Sequence, residues 1–361
     1  MKYFSKGIFY KEFKMAKWFL FILTGELLYL FNLSFMNDIR IIKDAVKKGN
    51  FNYDSYEYAF NLLFRNTDTS QLLFIISIIL FASIMVGNDF VNKKYELIAA
   101  LPYKREEVII TKYVVTVIIT VISFTISFIA VLIAFKNNQT LLSCYLSYGF
   151  LYEFYFINLL IYVFIVTFTM LIQTLCGKNI LGGIFSGIFL ILPLGLSALL
   201  EEVFRTIFFI KMRLGNYDFL TSIYNKITSI AYYISPIAYG TDYQYQLSYG
   251  IRVIILIACI SLLIYPLIIS FKILPFERCG YISIYSLGDI ILKIGISFCT
   301  GLLAAAVLEA NLTGVFGLYE IDISLVQQYV NYTIFYSALC FIGVGIFTYF
   351  ITNKIIKLSK S

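Results

Sequence analysis

The chain alternates between long apolar runs and short charged segments. Eight of the runs are long enough to cross a hydrocarbon core of about 30 Å as helices. The predicted spans are residues 18–35, 71–87, 113–135, 154–176, 180–200, 252–271, 290–308 and 332–352. The pattern predicts an all-α integral membrane protein with about eight transmembrane helices.

Basic residues set the predicted orientation. Residues 309–331 contain no Lys or Arg, whereas the tail, residues 353–361, carries three lysines and no acid. The segment 88–112, called the island below, is rich in basic side chains: Lys93, Lys94, Lys104, Arg105 and Lys112. The positive-inside rule places the island and both termini in the cytoplasm. An even number of spans follows, which favours eight.

Two further segments lie between the predicted spans and are predicted to be on the outer side of the membrane. Residues 36–70 are predicted to form an outside loop, although their basic side chains fit the positive-inside rule only loosely. Residues 201–250 contain apolar pieces that are too short for clean spans. These pieces predict half-penetrating or interfacial helices on the outer face.

Composition supports a membrane protein and excludes several classes of site. The chain is 60% hydrophobic and 14% charged, against about 25% charged for a soluble domain. It contains no His, which excludes Ser-His-Asp sites, His-ligated zinc and His proton relays. The six cysteines include no C-x-x-C pair, so no metal site or disulfide framework is predicted. The net charge of +7 comes from residues beside the spans and does not indicate a nucleic-acid partner.

The first seventeen residues have an amphipathic pattern. Five lysines alternate with aromatic and aliphatic residues, and Glu12 is the single acid. This pattern predicts a helix lying at the membrane interface, in contact with lipid.

Polar and small residues inside the predicted spans indicate helix contacts. Glu26 lies near the middle of the first span, where an acid must face protein or water. It is interpreted either as a residue of a translocation path or dimer seam, or as a hydrogen-bonded structural acid. In the fifth span, Gly183 and Gly187 form a small-xxx-small pair typical of helix packing. The polar residues of the fourth span are predicted to face neighbouring helices.

The island has a pattern of its own. Apolar residues at helical spacing predict a short amphipathic helix over residues 91–101, which Pro102 ends. Glu106 and Glu107 then lie in the first turn of the next helix, where the helix dipole favours acids. A short helix that ends at a proline and connects two spans on the cytoplasmic side is a surface that a soluble partner could bind.

This pattern resembles the first cytoplasmic loop of type-2 ATP-binding-cassette (ABC) permeases. The likeness rests on the acidic Asp89, on Leu101-Pro102 and on Lys104-Arg105; Lys93 and Lys94 stand where that family often has Gly-Thr. In that family the loop carries a coupling helix that docks on the ATPase subunit. The resemblance implies that the ATPase-coupling residues are Asp89, Glu96, Leu97, Leu101, Pro102, Lys104 and Arg105.

The resemblance also implies a domain order. Residues 1–17 would form an elbow helix, 18–271 a six-span core, and 272–361 a cytoplasmic connector with two further spans, as in a bacterial eight-span subgroup. Glu277 and Gly280 resemble a Glu-x-x-Gly signature of that subgroup. A simple charged turn is the alternative interpretation of these two residues.

The expected function is that of a permease subunit of an ATP-driven exporter in the bacterial cell membrane. Its substrate would be hydrophobic or amphipathic: a peptide antibiotic, a lipid or a small amphiphile. The chain has no nucleotide-binding motif, so it is not expected to be an enzyme or to hold a cofactor. Its expected partners are a separate ABC ATPase subunit and a second permease copy or a paralogue. The alternative is a secondary transporter or channel without an ATPase partner.

Overall fold

The structure is a computed structural model that describes residues 6–48, 67–93, 103–143, 147–213, 217–240, 248–275, 278, 280–315 and 323–359. Helices account for nearly all of these residues, and no β-strand occurs among them. Within this part of the chain, eight helices are long and apolar enough to cross a membrane. Each coincides with a predicted span. The prediction of an all-α, multi-pass membrane protein is confirmed.

The α-helices, numbered along the chain, are α1 (Lys6–Leu27), α2 (Leu33–Lys47), α3 (Thr67–Gly87), α4 (Arg105–Asn137), α5 (Gln139–Leu142), α6 (Tyr148–Leu175), α7 (Leu181–Arg213), α8 (Tyr217–Ile234), α9 (Tyr249–Lys272), α10 (Ser286–Val315) and α11 (Ile323–Leu358). A π-helical turn, Leu28–Asn32, joins α1 to α2. Short 3-10 helices occupy Asn88–Lys93 and Pro236–Gly240. The packing divides the chain into two compact units, Met1–Gly187 with Pro236–Cys279, and Ile188–Ser235 with Gly280–Ser361.

The first helix has no boundary at residue 17. Helix α1 runs without a break from Lys6 to Leu27, so the amphipathic segment is continuous with the first span. Its inner face, which includes Ile8 and Ala16, is buried against the rest of the unit. The interfacial position predicted for this segment stays a prediction, because contacts with the rest of the unit also explain the helical spacing of its apolar residues.

The segment predicted as an outside loop, residues 36–70, begins as a helix that ends at Lys47. Its position outside the membrane stays a prediction. Helix α2 packs on the C-terminal part of α4 and on the start of α6. The buried cluster there consists of Phe35, Ile39, Ile42, Phe128, Val131, Phe135, Leu142 and Leu151. The apolar residues of α2 recur at helical spacing, and this burial stabilises the helix beyond the span.

The core of the first unit is built around α6. As predicted, its polar residues face neighbouring helices: Asn158, Thr167, Thr169, Gln173 and Thr174 are all buried. Thr167 hydrogen-bonds Tyr113 of α4 at 3.0 Å, and Thr174 hydrogen-bonds Ser270 of α9 at 2.7 Å. In a membrane such bonds hold helices together, because apolar lipid offers these groups no alternative partner.

The start of α7 approaches α3 and α6 closely. A Cβ atom added to Gly183 would lie 2.9 Å from the Cβ of Ser83, and one added to Gly187 would lie 3.9 Å from Ile79 Cδ1. Gly182 is tighter still, because its Cβ would clash with the Cα of Gln173. Small residues thus let the backbones of these helices come together.

We expect Gly182→Ala to destabilise the protein by about 1–3 kcal/mol, because the extra methyl must displace the backbone at Gln173. Gly187→Ala is the matched control: its Cβ meets only an ordinary contact, and alanine favours a helix. The measurement is the unfolding transition of both variants in mixed detergent micelles. Equal transitions for both variants would show that the close approach at Gly182 does not matter.

The described residues between 201 and 250 are almost all helical, as the prediction of short helices in this region implied. Helix α7 continues beyond the fifth span to Arg213, because neither Gly nor Pro interrupts the sequence after Gly195. Helix α8 follows and is not among the helices apolar enough to span a membrane. The predicted half-penetrating or interfacial position of this region stays a prediction.

In the second unit, α10 and α11 pack as a helix pair. Thr300 hydrogen-bonds Thr348 at 2.9 Å, and the Ser337 hydroxyl donates to buried Glu309 at 3.1 Å. Gly301 lets the backbone of α10 approach Phe341, since a Cβ there would lie 2.8 Å from the Phe341 carbonyl oxygen. Most large apolar side chains of α11 are exposed in the single chain, as expected for a helix that faces lipid.

Candidate functional site

The two ends of the island lie within the described residues, and its centre does not. The 3-10 helix Asn88–Lys93 follows α3 directly, and α4 begins at Arg105. The residues Glu96, Leu97, Leu101 and Pro102 lie outside the described residues, as does Glu277. The predicted coupling helix over residues 91–101 therefore stays a prediction.

A buried ion cluster anchors the first end of the island. The Lys112 ammonium of α4 lies 3.0 Å from Glu12 Oε2 of α1 and 3.1 Å from Asp89 Oδ2 of the 3-10 helix. All three side chains are buried: their exposed fractions are 0% for Lys112, 1% for Glu12 and 6% for Asp89. We call Glu12, Asp89 and Lys112 the basal cluster. It joins three segments that are far apart in sequence.

The geometry of the basal cluster satisfies the ammonium. Lys112 Nζ has three donors, and they meet Glu12, Asp89 and the Met85 carbonyl oxygen, the last at 2.8 Å. A buried charge without such partners would be expensive, whereas a fully paired one is tolerated. Breaking one member of the cluster leaves the others buried and uncompensated.

Further contacts hold the start of the island from two other sides. The Asn88 amide donates to Met15 Sδ of α1 at 3.2 Å. Gly87 packs closely on Asn179, since an added Cβ would lie 3.2 Å from the Asn179 Cα and would displace the Asn179 side chain. Asn179 belongs to the turn between α6 and α7, where Ile180 has the left-handed φ of 65°, unusual for a β-branched residue.

The same turn is tied to α3 by side-chain hydrogen bonds. Ser83 donates to Gln173 Oε1 at 2.6 Å, and Gln173 Nε2 donates to the Lys178 carbonyl oxygen at 2.9 Å. The buried amide of Gln173 therefore links α3, α6 and the α6–α7 turn directly beneath the first island residue.

The second end of the island is bonded to the end of α9. The Arg105 guanidinium donates to the carbonyl oxygens of Lys272 at 3.3 Å and Leu274 at 3.1 Å. The last carbonyls of a helix have no partner within the helix, and a cation there also complements the helix dipole. The Lys272 ammonium completes the contact with Glu106 at 2.6 Å.

We expect Arg105→Ala to loosen the start of α4, because the carbonyls at the end of α9 lose their donor. The measurement is hydrogen exchange at residues 103–110, which should become faster. Lys104→Ala is the matched control, since Lys104 is exposed and its side chain does not cap α4. Unchanged exchange in Arg105→Ala would show that these hydrogen bonds do not hold the island.

The structure places the predicted site residues in different surroundings. Asp89 is buried in the basal cluster, and the half-buried Arg105 guanidinium is hydrogen-bonded to two backbone carbonyls of the same chain. Lys104 is exposed. Glu26 lies apart from the island and accepts a hydrogen bond from Ser77 of α3 at 3.0 Å.

Glu12 is the residue of the basal cluster whose burial the sequence interpretation missed. In the sequence it is the single acid among the lysines of the first seventeen residues. The signal was its spacing: Glu12 lies four residues after Ile8 and four before Ala16, so it shares their apolar face. A buried acid needs a compensating partner, and Lys112 supplies it here.

The thiol of Cys176 is buried beside the α6–α7 turn, as is common for a free cysteine that packs as a small apolar residue. Among the described residues no group of His, Cys, Asp and Glu could hold a metal ion.

No family model, no curated protein and no solved structure matches this chain. The resemblance to type-2 ABC permeases accordingly rests on the island residues and on the layout of the spans.

Proposed function

We propose that this chain is the membrane-spanning permease subunit of an ATP-driven exporter of the type-2 ABC class. It would lie in a bacterial cell membrane with both termini in the cytoplasm. Its substrate would be hydrophobic or amphipathic. A separate ATPase subunit would supply the energy, because the sequence contains no nucleotide-binding motif.

The observation that supports this proposal is the anchoring of the island at both ends. The basal cluster ties its first end to α1 and α4, and Arg105 with Glu106 ties its second end to α9. A loop that only connected two spans would not need a buried ion cluster, which is costly to form.

This anchoring suggests how force would pass from partner to membrane. A subunit that grips residues 91–101 and moves them would displace the end of α3, which the island continues. Through Lys112 and Glu12 the same displacement would reach α4 and α1. Through Arg105 it would reach α9. Four candidate spans of the first unit would then respond to one contact.

The test is affinity purification of the tagged chain from its native host, followed by identification of co-purified proteins. We expect an ATPase with a G-x-x-x-x-G-K-[ST] loop, encoded beside this gene. The partner should be retained in detergent, and ATP should alter the retained amount. If no ATPase co-purifies and none is encoded nearby, the proposal fails.

A secondary transporter is the second candidate, and Glu26 is the observation that favours it. An acid within a span is the type of residue that couples transport to an ion gradient. Purified chain in vesicles would then move substrate along an imposed proton or sodium gradient without ATP. Transport that requires the ATPase and ATP would exclude this candidate.

A further inference from the structure

Glu26 occupies an unusual position for a charged side chain. Among the described residues of the eight candidate spans, the other charged side chains lie toward the ends, whereas Glu26 lies near the middle of Lys6–Asp44. It follows Glu12 by about four helical turns, and so lies about 20 Å deeper along α1. Its carboxylate is half-buried at the seam between α1 and α3.

Both sides of this seam carry exposed apolar side chains. On the first side, Ile22 of α1, Tyr29 of the π-helical turn and Leu33 at the start of α2 are all exposed. On α3 the exposed neighbours of Ser77 are Leu73, Ile76 and Leu80. The carboxylate thus lies between two rows of exposed apolar side chains. No other part of the described chain covers these rows, so lipid or a ligand must do so in a single chain.

The backbone is irregular directly after Glu26. The π-helical turn Leu28–Asn32 begins two residues later, and π-turns are rare and concentrate at functional sites. Asn32 fixes this turn by donating to Ser127 Oγ of α4 at 2.9 Å. Gly25 leaves open space beside the acid, because an added Cβ would find no atom within 4 Å.

We propose that Glu26 and Ser77 form a binding site for lipophilic organic cations. The Ser77 hydroxyl holds Glu26 Oε1 in place, and the bound cation neutralises a carboxylate that lipid cannot solvate. The walls of the seam cover the apolar part of the ligand. This proposal deepens the proposed function by naming the substrate class and rests on it only for the claim that the bound cation is exported.

Binding to the purified chain in detergent tests this site without any ATPase. The probes are tetraphenylphosphonium and tetraphenylborate, which share size and shape and differ in the sign of their charge. We expect the wild type to bind the phosphonium and to discriminate against the borate. Glu26→Gln should weaken phosphonium binding about tenfold or more and remove the discrimination. Ser77→Ala keeps the carboxylate and should keep the preference for the cation.

A second measurement needs only the wild-type protein, in case Glu26→Gln does not fold. Dicyclohexylcarbodiimide modifies carboxyl groups in apolar surroundings, and tetraphenylphosphonium should slow its reaction with Glu26. Glu309 serves as the internal control. It is buried near the C-terminal end of α10, where its carboxylate accepts a hydrogen bond from Ser337. Its reaction should not respond to the phosphonium.

Several results would overturn the proposal. These are equal binding of both probes, unchanged phosphonium binding in Glu26→Gln, or a rate of Glu26 modification that the phosphonium does not alter. If Glu26→Gln instead dissociates a dimer and leaves phosphonium binding intact, the seam is covered by a second copy and the cation site is wrong. Failure to find an ATPase would leave the binding results unaffected, so the two proposals fail separately.

Discussion

Replacing Lys112 by methionine is expected to destabilise the protein by about 3–5 kcal/mol, the typical cost of breaking a buried ion pair. Methionine has a similar length and fills the space, but it leaves Asp89 buried without its cation and leaves Glu12 with only the exposed Lys11 ammonium, 3.6 Å from Oε1. Both carboxylates lie close to the same nitrogen, so they would also repel each other. The Met85 carbonyl oxygen loses its donor as well. The measurement is the free energy of unfolding from a denaturing-detergent titration in mixed micelles.

Two variants accompany Lys112→Met. Lys104→Met removes an exposed lysine of the same island and should change the free energy of unfolding by less than about 0.5 kcal/mol. The triple variant Glu12→Gln, Asp89→Asn, Lys112→Met removes all three charges and should recover most of the loss, because neutral replacement of a whole buried cluster is often tolerated. A stable Lys112→Met, or a triple variant no better than the single one, would contradict this account.

The spans were predictable because hydrophobicity and length are local properties of the sequence. Every predicted span falls on a helix of sufficient length, and the polar residues of α6 face inward as expected. A transmembrane helix needs only its own residues to satisfy its backbone hydrogen bonds. The eight-span layout therefore depends little on tertiary contacts.

The anchoring of the island was not predictable, because it depends on which helices meet. Arg105 was interpreted as a coupling residue and Glu106 as an acid in the first turn of α4, whereas their partners at the end of α9 lie far away in the sequence. Glu12 and Lys112 are similarly remote from each other. Helix α2 was missed for a related reason: its charged residues suggested a loop, but its apolar face packs on α4.

These contacts change which variants can test the coupling hypothesis. Reversing the charge of Arg105 is a poor probe of partner binding, because the guanidinium already bonds two backbone carbonyls of the same chain. Asp89 is equally unsuitable, since its removal would disturb the basal cluster. The exposed Lys104 and the residues of the predicted coupling helix are the clean positions.

The double variant Leu97→Ala, Leu101→Ala is expected to weaken binding of the proposed ATPase by at least about thirtyfold. These residues are the apolar anchors of the predicted coupling helix, and truncating even one buried anchor at an interface typically costs about 2 kcal/mol or more, which is about thirtyfold in affinity. The spans should stay inserted, because residues 97 and 101 lie between them. Glu96→Lys and Lys104→Glu should weaken binding in the same direction by changing the charge around the anchors. The measurement is the amount of ATPase that co-purifies, with ATP hydrolysis rates alongside.

The control for this double variant is Ile355→Ala, Leu358→Ala. These two side chains are exposed at the end of α11, on the side of the membrane where the island is predicted to lie. Their truncation removes similar apolar area but no part of the island, so binding should be unchanged. Equal losses in both double variants would mean that the ATPase contacts the C-terminal helix as much as the island. Full binding by the Leu97, Leu101 variant would show that the island is not the coupling element, since its apolar anchors would then contribute nothing to the contact.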